Sequence, residues 1–291
     1  MEMAGSAELG RFLCDWPLLA SWLLIFGISG FAVRAPVPVS SALGRRLAAQ
    51  IRLLTLLQLG LWPLLLIEVA SSMAGVGTRA TLPLLPAIVS QTRFGHLWLY
   101  ATPLVLAMVA LSWRRSLTLG QARLLVLLST VQLLLWAASG HAIDYGPAAI
   151  GAYLIHELAA GLWLGSLLGL WLAAPLLPGD ALGKVALQLS RTAGWCVAAL
   201  VVSGSYLAYR SLGLDLTHLL YSSYGRTLLW KLALFGGVVA IGGYNRYRLL
   251  PTLETESNKL LRNVAAESLL LIVIIGVAAL LANTPPAHMA Q

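Results

Sequence analysis

The stretch His156-Glu157-Leu158-Ala159-Ala160-Gly161-Leu162-Trp163-Leu164-Gly165 sets two ionisable residues side by side inside an otherwise apolar run, residues 148–177. A run of that length reads as a membrane-spanning helix. Inside a bilayer an imidazole and a carboxylate are costly unless they face a partner, a cavity or an ion. Gly161, Gly165 and Gly169 recur every four residues, a spacing that lets a second helix approach closely on one face. This helix is therefore expected at the centre of the molecule, packed on several sides and carrying its polar pair inward.

Working outward, the whole chain has the same character. Its 291 residues are 59% hydrophobic and 10% charged, against about 25% charged in a soluble domain. Eight apolar runs are long enough to span, at about 16–33, 51–70, 94–113, 122–140, 148–174, 192–209, 227–247 and 265–283. The expected fold is all-α: one polytopic membrane domain over 1–291 with eight transmembrane helices. Residues 81–90 are apolar but short and hold Pro83 and Pro86, so they read as an interfacial or re-entrant piece. Residues 211–226 have room for a short surface helix. The first residues lack the apolar core of a cleavable signal, so the first run is expected to be an uncleaved anchor. Cys14 and Cys196 stand far apart, which argues against a disulfide framework or a thiolate site.

Basic residues give the orientation. Thirteen of the nineteen lysines and arginines fall in the first, third, fifth and seventh connections. That excess marks those connections as cytoplasmic and puts both termini outside. The net charge of +8 is then a matter of topology and anionic lipid headgroups, not of nucleic acid. Trp16, Trp98, Trp113, Trp195 and Trp230 fall near span ends, where interfacial anchors belong. Trp163 is different: it lies mid-span, seven residues after His156 and so on the same helix face.

On this topology the histidines share a side. His96 opens the third span, His141 closes the fourth, and His218 and His288 lie in outer segments. His156 is about nine residues into a span that starts outside, roughly 14 Å deep. Met1, Met3, Met73 and Met289 are also outer. Imidazole with thioether suits copper, thioether favouring Cu(I). Glu157 points about 100° away from His156 around the helix, where it can pair with Lys231 or Arg226 or relay protons. Glu68 is a candidate third group, and Asp144 and Tyr145 are candidates for a mouth beside His141. The plainer alternatives are a packing histidine and headgroup or salt-bridge carboxylates. Glu267 opens the last span and is expected to pair with an arginine from Arg246 or Arg248. No phosphate-binding loop, phosphorylated-aspartate sequence or HExxH is present, so the reading is a passive, ion-coupled or partner-dependent transporter and not an enzyme. Two further readings stand beside it: a membrane haem protein ligated by His96 and His141 at equal depth, and a copper-binding sensor or scaffold that moves nothing.

Several pieces together resemble the copper-resistance D family of bacterial inner-membrane proteins. They are Ser139-Gly140-His141, His156 through Gly165 as H-x6-W-x-G, Ser203-Gly204, Tyr224-Gly225-Arg226-Thr227-Leu228-Leu229-Trp230-Lys231-Leu232, Asn245-Arg246-Tyr247-Arg248-Leu249-Leu250-Pro251, Glu267 and Pro285-Pro286. They cover about residues 139–286. The resemblance implies eight helices, both termini in the periplasm, and copper uptake with a separate periplasmic carrier of the copper-resistance C type. The expected metal positions are His156, His141, His96, Glu157, Glu68, Met1 and Met3, with copper as Cu(I) or Cu(II). Neutral imidazole is the ligand form, so uptake is expected to weaken as pH falls through about 6.5.

Overall fold

Glycine decides where the largest helix contact of the bundle forms. In the computed structural model, which describes residues 2–35, 39–139, 141–213 and 216–282, eight long helices run through the chain. They are α1 (Glu2–Arg34), α2 (Ser41–Ala74), α3 (Arg93–Ser112), α4 (Leu119–Ser139), α5 (Pro147–Ala173), α6 (Gly179–Leu212), α7 (Ser223–Tyr244) and α8 (Leu253–Ala282). All eight are long and apolar enough to cross a membrane, and no strand occurs among the described residues. Helices are forced on such a chain because hydrocarbon offers nothing to bond a free peptide group. α2 and α6 run well past their apolar runs, by about a dozen residues at the end that carries most of the arginines. That end is called the basic end below, and the opposite one the terminal end.

α1 and α5 are the central pair. Gly27 of α1 lies directly on Gly161 and Gly165 of α5: a Cβ built on Gly27 would run into the Gly161 carbonyl and come within 2.7 Å of the Gly165 Cα. Gly161 faces the Leu23 carbonyl, and Gly169 takes the ring of Phe31. The glycine ladder read from the sequence is therefore the face on which α1 sits. Lipid tails are as apolar as leucine, so helices in a membrane associate through such close backbone packing.

Around this axis the chain builds the same four-helix ring twice. α1 packs on α2, α2 on α3, α3 on α4, and α4 closes on α1; α5 to α8 repeat the order, with the α6–α7 contact the thinnest. The details repeat as well. α2 and α6 are both 34 residues long, and each ends on a left-handed glycine, Gly75 (φ 66°) and Gly213 (φ 70°). A short helix follows each, Leu85–Gln91 and Leu216–Tyr221. The next helix is then capped by a hydroxyl bonded to a glycine N–H three residues on: Gly95 to Thr92 at 3.0 Å, Gly225 to Ser222 at 2.9 Å. Trp22 follows Asp15 by seven residues in α1 as Trp163 follows His156 in α5.

The first ring is filled by tryptophans. Trp22, wholly buried, meets Trp62 and Trp136 edge-on, and Trp62 stacks on Trp98 at 5.8 Å. Trp98 also donates to the Trp62 carbonyl at 3.2 Å, and Trp16 to the Ile272 carbonyl at 3.0 Å. These two of the five expected anchors thus bond within the bundle. Trp113, Trp195 and Trp230 are exposed, as anchors should be.

Two glycines separate close approach from mere flexibility. Gly165→Val is expected to destabilise the protein by roughly 1–3 kcal/mol or more, since the neighbour it meets is backbone and cannot yield. Gly60→Ala, with nothing within 4 Å, is expected to be neutral or to stabilise by up to about 1 kcal/mol. Thermal unfolding of both variants in one detergent checks the contrast.

Candidate functional site

His156 sits two turns above Trp163 on α5, in the terminal half of the second ring. Its Nδ1 lies 3.0 Å from the Ser203 hydroxyl of α6. Ser203 has one hydroxyl proton, and its oxygen lies 2.6 Å from the Ala199 carbonyl, which can only accept. The serine therefore receives from the ring, as the nearby Leu200 carbonyl also can: the proton is on Nδ1, and in the neutral ring Nε2 keeps its lone pair. A metal-ligating histidine is usually set up this way, with the outer partner fixing tautomer and ring angle. Gly204 leaves space for the ring, since a Cβ there would stand 3.2 Å from the imidazole Cε1.

Glu157 is buried, and its Oε2 has no hydrogen-bond partner. Lys231 of α7 is near enough to act electrostatically on both Glu157 and His156. No ion pair within 4 Å joins it to Glu157 among the described residues. The three groups thus face one another across the α5–α6–α7 side without closing into a salt bridge. Tyrosines lie toward the terminal end. Tyr153 interacts with Tyr145 and Tyr224, and the Arg210 guanidinium lies 5.2 Å from the Tyr145 ring centroid. Burial, with Tyr224 alongside, raises Tyr145 above the ordinary phenol range, so it stays neutral at the mouth.

A second polar group lies in the basic half of the same ring. Trp163 Nε1 donates to Glu267 Oε1 at 2.8 Å, Asn245 Nδ2 donates to Glu267 Oε2 at 3.1 Å, and Asn263 donates to Asn245 Oδ1 at 2.8 Å. Glu267 is 3% exposed. The expected arginine partner is not there: Arg246 donates to the Ser190 carbonyl at 3.2 Å instead. The reason is a π-helical turn, Asn245–Leu249, at the end of α7. It turns Asn245 inward and leaves Arg246 outside. Beside Glu267 lies a cavity of about 240 Å³, bounded by Trp163, Ser190, Asn245, Arg246 and Tyr247. The sequence singled out Glu267 and the heptad relation of His156 to Trp163 separately, and nothing in it joined the two.

Of the other expected positions whose side chains are described, Glu68 and His96 stand apart from His156. Glu68 of α2 lies over α1, close against Gly10 and near Cys14, and no hydrogen bond or ion pair joins it to His156. Asp15 is buried and pairs with Arg11 at 3.4 Å. His96 is exposed, its Nε2 2.8 Å from the Ser90 carbonyl. His141 begins a short 3₁₀ helix, His141–Tyr145, and Met3 lies in the first turn of α1; the side chains of both, and of His218, fall outside the described residues. Met1, Gly140, Pro285, Pro286, His288 and Met289 are likewise outside them. Among the described residues no group of three His, Cys, Asp or Glu side chains is placed to hold a metal ion.

The sequence matches known families and relatives over most of its length. The family model described as copper resistance protein D matches residues 183–281, and that of the copper resistance protein D-like N-terminal domain matches residues 6–149. The two cover most of one ring each. The chain is 31% identical over 254 residues to inner membrane protein YebZ of Escherichia coli (strain K12), covering 82% of this chain and 84% of that one. It is 30% identical over 203 residues to copper resistance protein D of Pseudomonas syringae pv. tomato, covering 65% of each. No solved structure matches it. With both rings matched and a relative covered over most of its length, the chain belongs to the copper resistance protein D family, as a multi-pass protein of the inner membrane.

Proposed function

We propose that this protein takes up copper across the inner membrane, accepting it at the terminal face, which is periplasmic, and passing it inward through the second ring by way of His156. The observation that carries the reading is the tautomer. Ser203 and Ala199 hold the His156 proton on Nδ1, so a lone pair is presented inside the bilayer with no proton to shed first. An intramembrane imidazole of this kind is otherwise hard to account for. Glu157, with its unpartnered oxygen, supplies negative charge next to the ion, and Lys231 balances that carboxylate when the ion is absent.

The other residues take graded parts. His96 and His141, with Met1 and Met3, receive the ion at the terminal face, and Glu68 adds charge on the first ring's side of that face. In this reading the ion is held by few ligands at a time. Transient binding suits passage, which requires binding weak enough to release. Copper is delivered by a separate periplasmic carrier of the copper-resistance C type. The protein is a carrier, not an enzyme, and the basic end is cytoplasmic.

Three outcomes are expected. His156→Ala abolishes copper accumulation in proteoliposomes while the folded yield is unchanged; normal accumulation would sink the reading. Ser203→Ala, which frees the ring to turn and change tautomer, lowers copper affinity by roughly 10- to 100-fold, measured by competition with a chromophoric chelator; an unchanged affinity removes the tautomer argument. In intact cells, a single cysteine replacing Arg79 reacts with a membrane-impermeant maleimide, and one replacing Arg248 reacts only after permeabilisation. The reverse pattern would invert the direction of transport.

A further inference from the structure

The basic half of the second ring holds a carboxyl group that the copper pathway does not use. We propose that Glu267 is a proton-exchange site, opening to the basic end through the 240 Å³ cavity and distinct from the copper position at His156. Glu267 is buried deep in the bundle, yet both its oxygens accept from neutral donors, Trp163 and Asn245. No lysine or arginine lies within ion-pair distance of it among the described residues. A carboxyl so placed is satisfied in two forms. Ionised, it accepts from both donors; protonated, it removes an uncompensated charge from the interior.

The surroundings give the proton a route. The cavity beside Glu267 has room for several waters, and its walls reach Arg246 and Tyr247, both exposed at the basic end. The π turn that sends Asn245 onto the carboxylate is a feature that recurs at functional sites. The cavity lining does not suit Cu(I), because it carries no histidine, thiol or thioether. Gly242 puts α7 close beside the carboxylate: a Cβ built there would stand in van der Waals contact with Oε1, at 3.5 Å.

Few other groups compete for the proton. On the π turn that ends α7 they are Arg246, held on the Ser190 carbonyl, and Tyr247. α6 carries Asp180, Lys184 and Arg191 near its start, none of which lines the cavity. α5 offers Trp163 here, with His156 and Glu157 about 10 Å further along its axis. α1, on the far side of α8, carries Asp15 toward the terminal end and Arg34 at the basic end, with no charge between. On α8 itself the nearest charged residue is Arg262, more than a turn toward the basic end.

The test uses the full-length protein in lipid nanodiscs, treated with dicyclohexylcarbodiimide over a pH series, with adducts mapped by peptide mass spectrometry. Carbodiimides add to protonated carboxyls in apolar surroundings. The expected result is an adduct on Glu267 that declines with rising pH through a single midpoint. Trp163→Phe, which removes one donor to the ionised form, should raise that midpoint by roughly one pH unit. No adduct at Glu267 at any pH, or one that ignores pH, overturns the proposal; so does a midpoint that Trp163→Phe leaves in place. A second arm rests on the copper reading: in proteoliposomes, copper entry should drive proton exit in the wild type, and Glu267→Gln should lose the proton movement. An adduct on Glu267 with no copper uptake by the wild type would overturn the transport reading and leave the proton site standing. Copper uptake without an adduct would do the reverse.

Discussion

Everything in this protein hangs on the place where Gly27 of α1 meets Gly161 and Gly165 of α5. Membrane helices have no water to drive them together, so a fold in lipid needs contacts that lipid cannot match. Backbone against backbone is such a contact. It fixes the rotation of α5 about its own axis and therefore the directions in which His156, Glu157 and Trp163 point. α1, fixed by the same contact, carries Trp22 into the first ring. Larger residues at these glycines would move the second ring relative to the first, and the polar groups with it.

The chain uses one scaffold twice and fills it in two ways. In the first ring the interior is aromatic; its buried carboxylate, Asp15, lies toward the terminal end and pairs with Arg11, and the buried polar side chains deeper in are neutral. Gln58 and Gln132 are fully buried, with amide atoms that find no protein partner. In the second ring the same architecture carries an imidazole, a lysine and two carboxylic side chains. The indole of Trp163 has an acid to bond, whereas that of Trp22 has no hydrogen-bond partner. Chemistry is thus concentrated in one half, while the other holds it at a fixed angle in the membrane.

Much of this was legible from residues alone, for reasons that are physical. Span number follows from hydropathy because lipid permits only long apolar helices. The α5 glycine ladder announced its packing face because nothing else explains three glycines at fourfold spacing in a helix. The His156-Glu157 pair stood out because charge in lipid is expensive. What stayed hidden depends on register between helices. Ser203 is one hydroxyl among many until α6 is seen beside α5, and Glu267 looked like an arginine partner until the π turn moved Asn245 under it. The doubled ring was also hidden. Its marks are a pair of glycine caps, two equal helix lengths and two hydroxyl N-caps, each too common to notice alone.

The thin contact between α6 and α7 has a mechanical meaning. In the first ring the corresponding helices, α2 and α3, are in fuller contact, so parting them would forfeit more dispersion energy. In the second ring that adhesion is weak, while α7 remains fastened to α8 and α6 to α5. The bundle therefore has a built-in line of cleavage, and His156, Lys231 and the Glu267 cavity are all arranged along it. A motion that widened this seam at one end and narrowed it at the other would expose the two polar groups in turn, with the glycine axis serving as the fixed pivot.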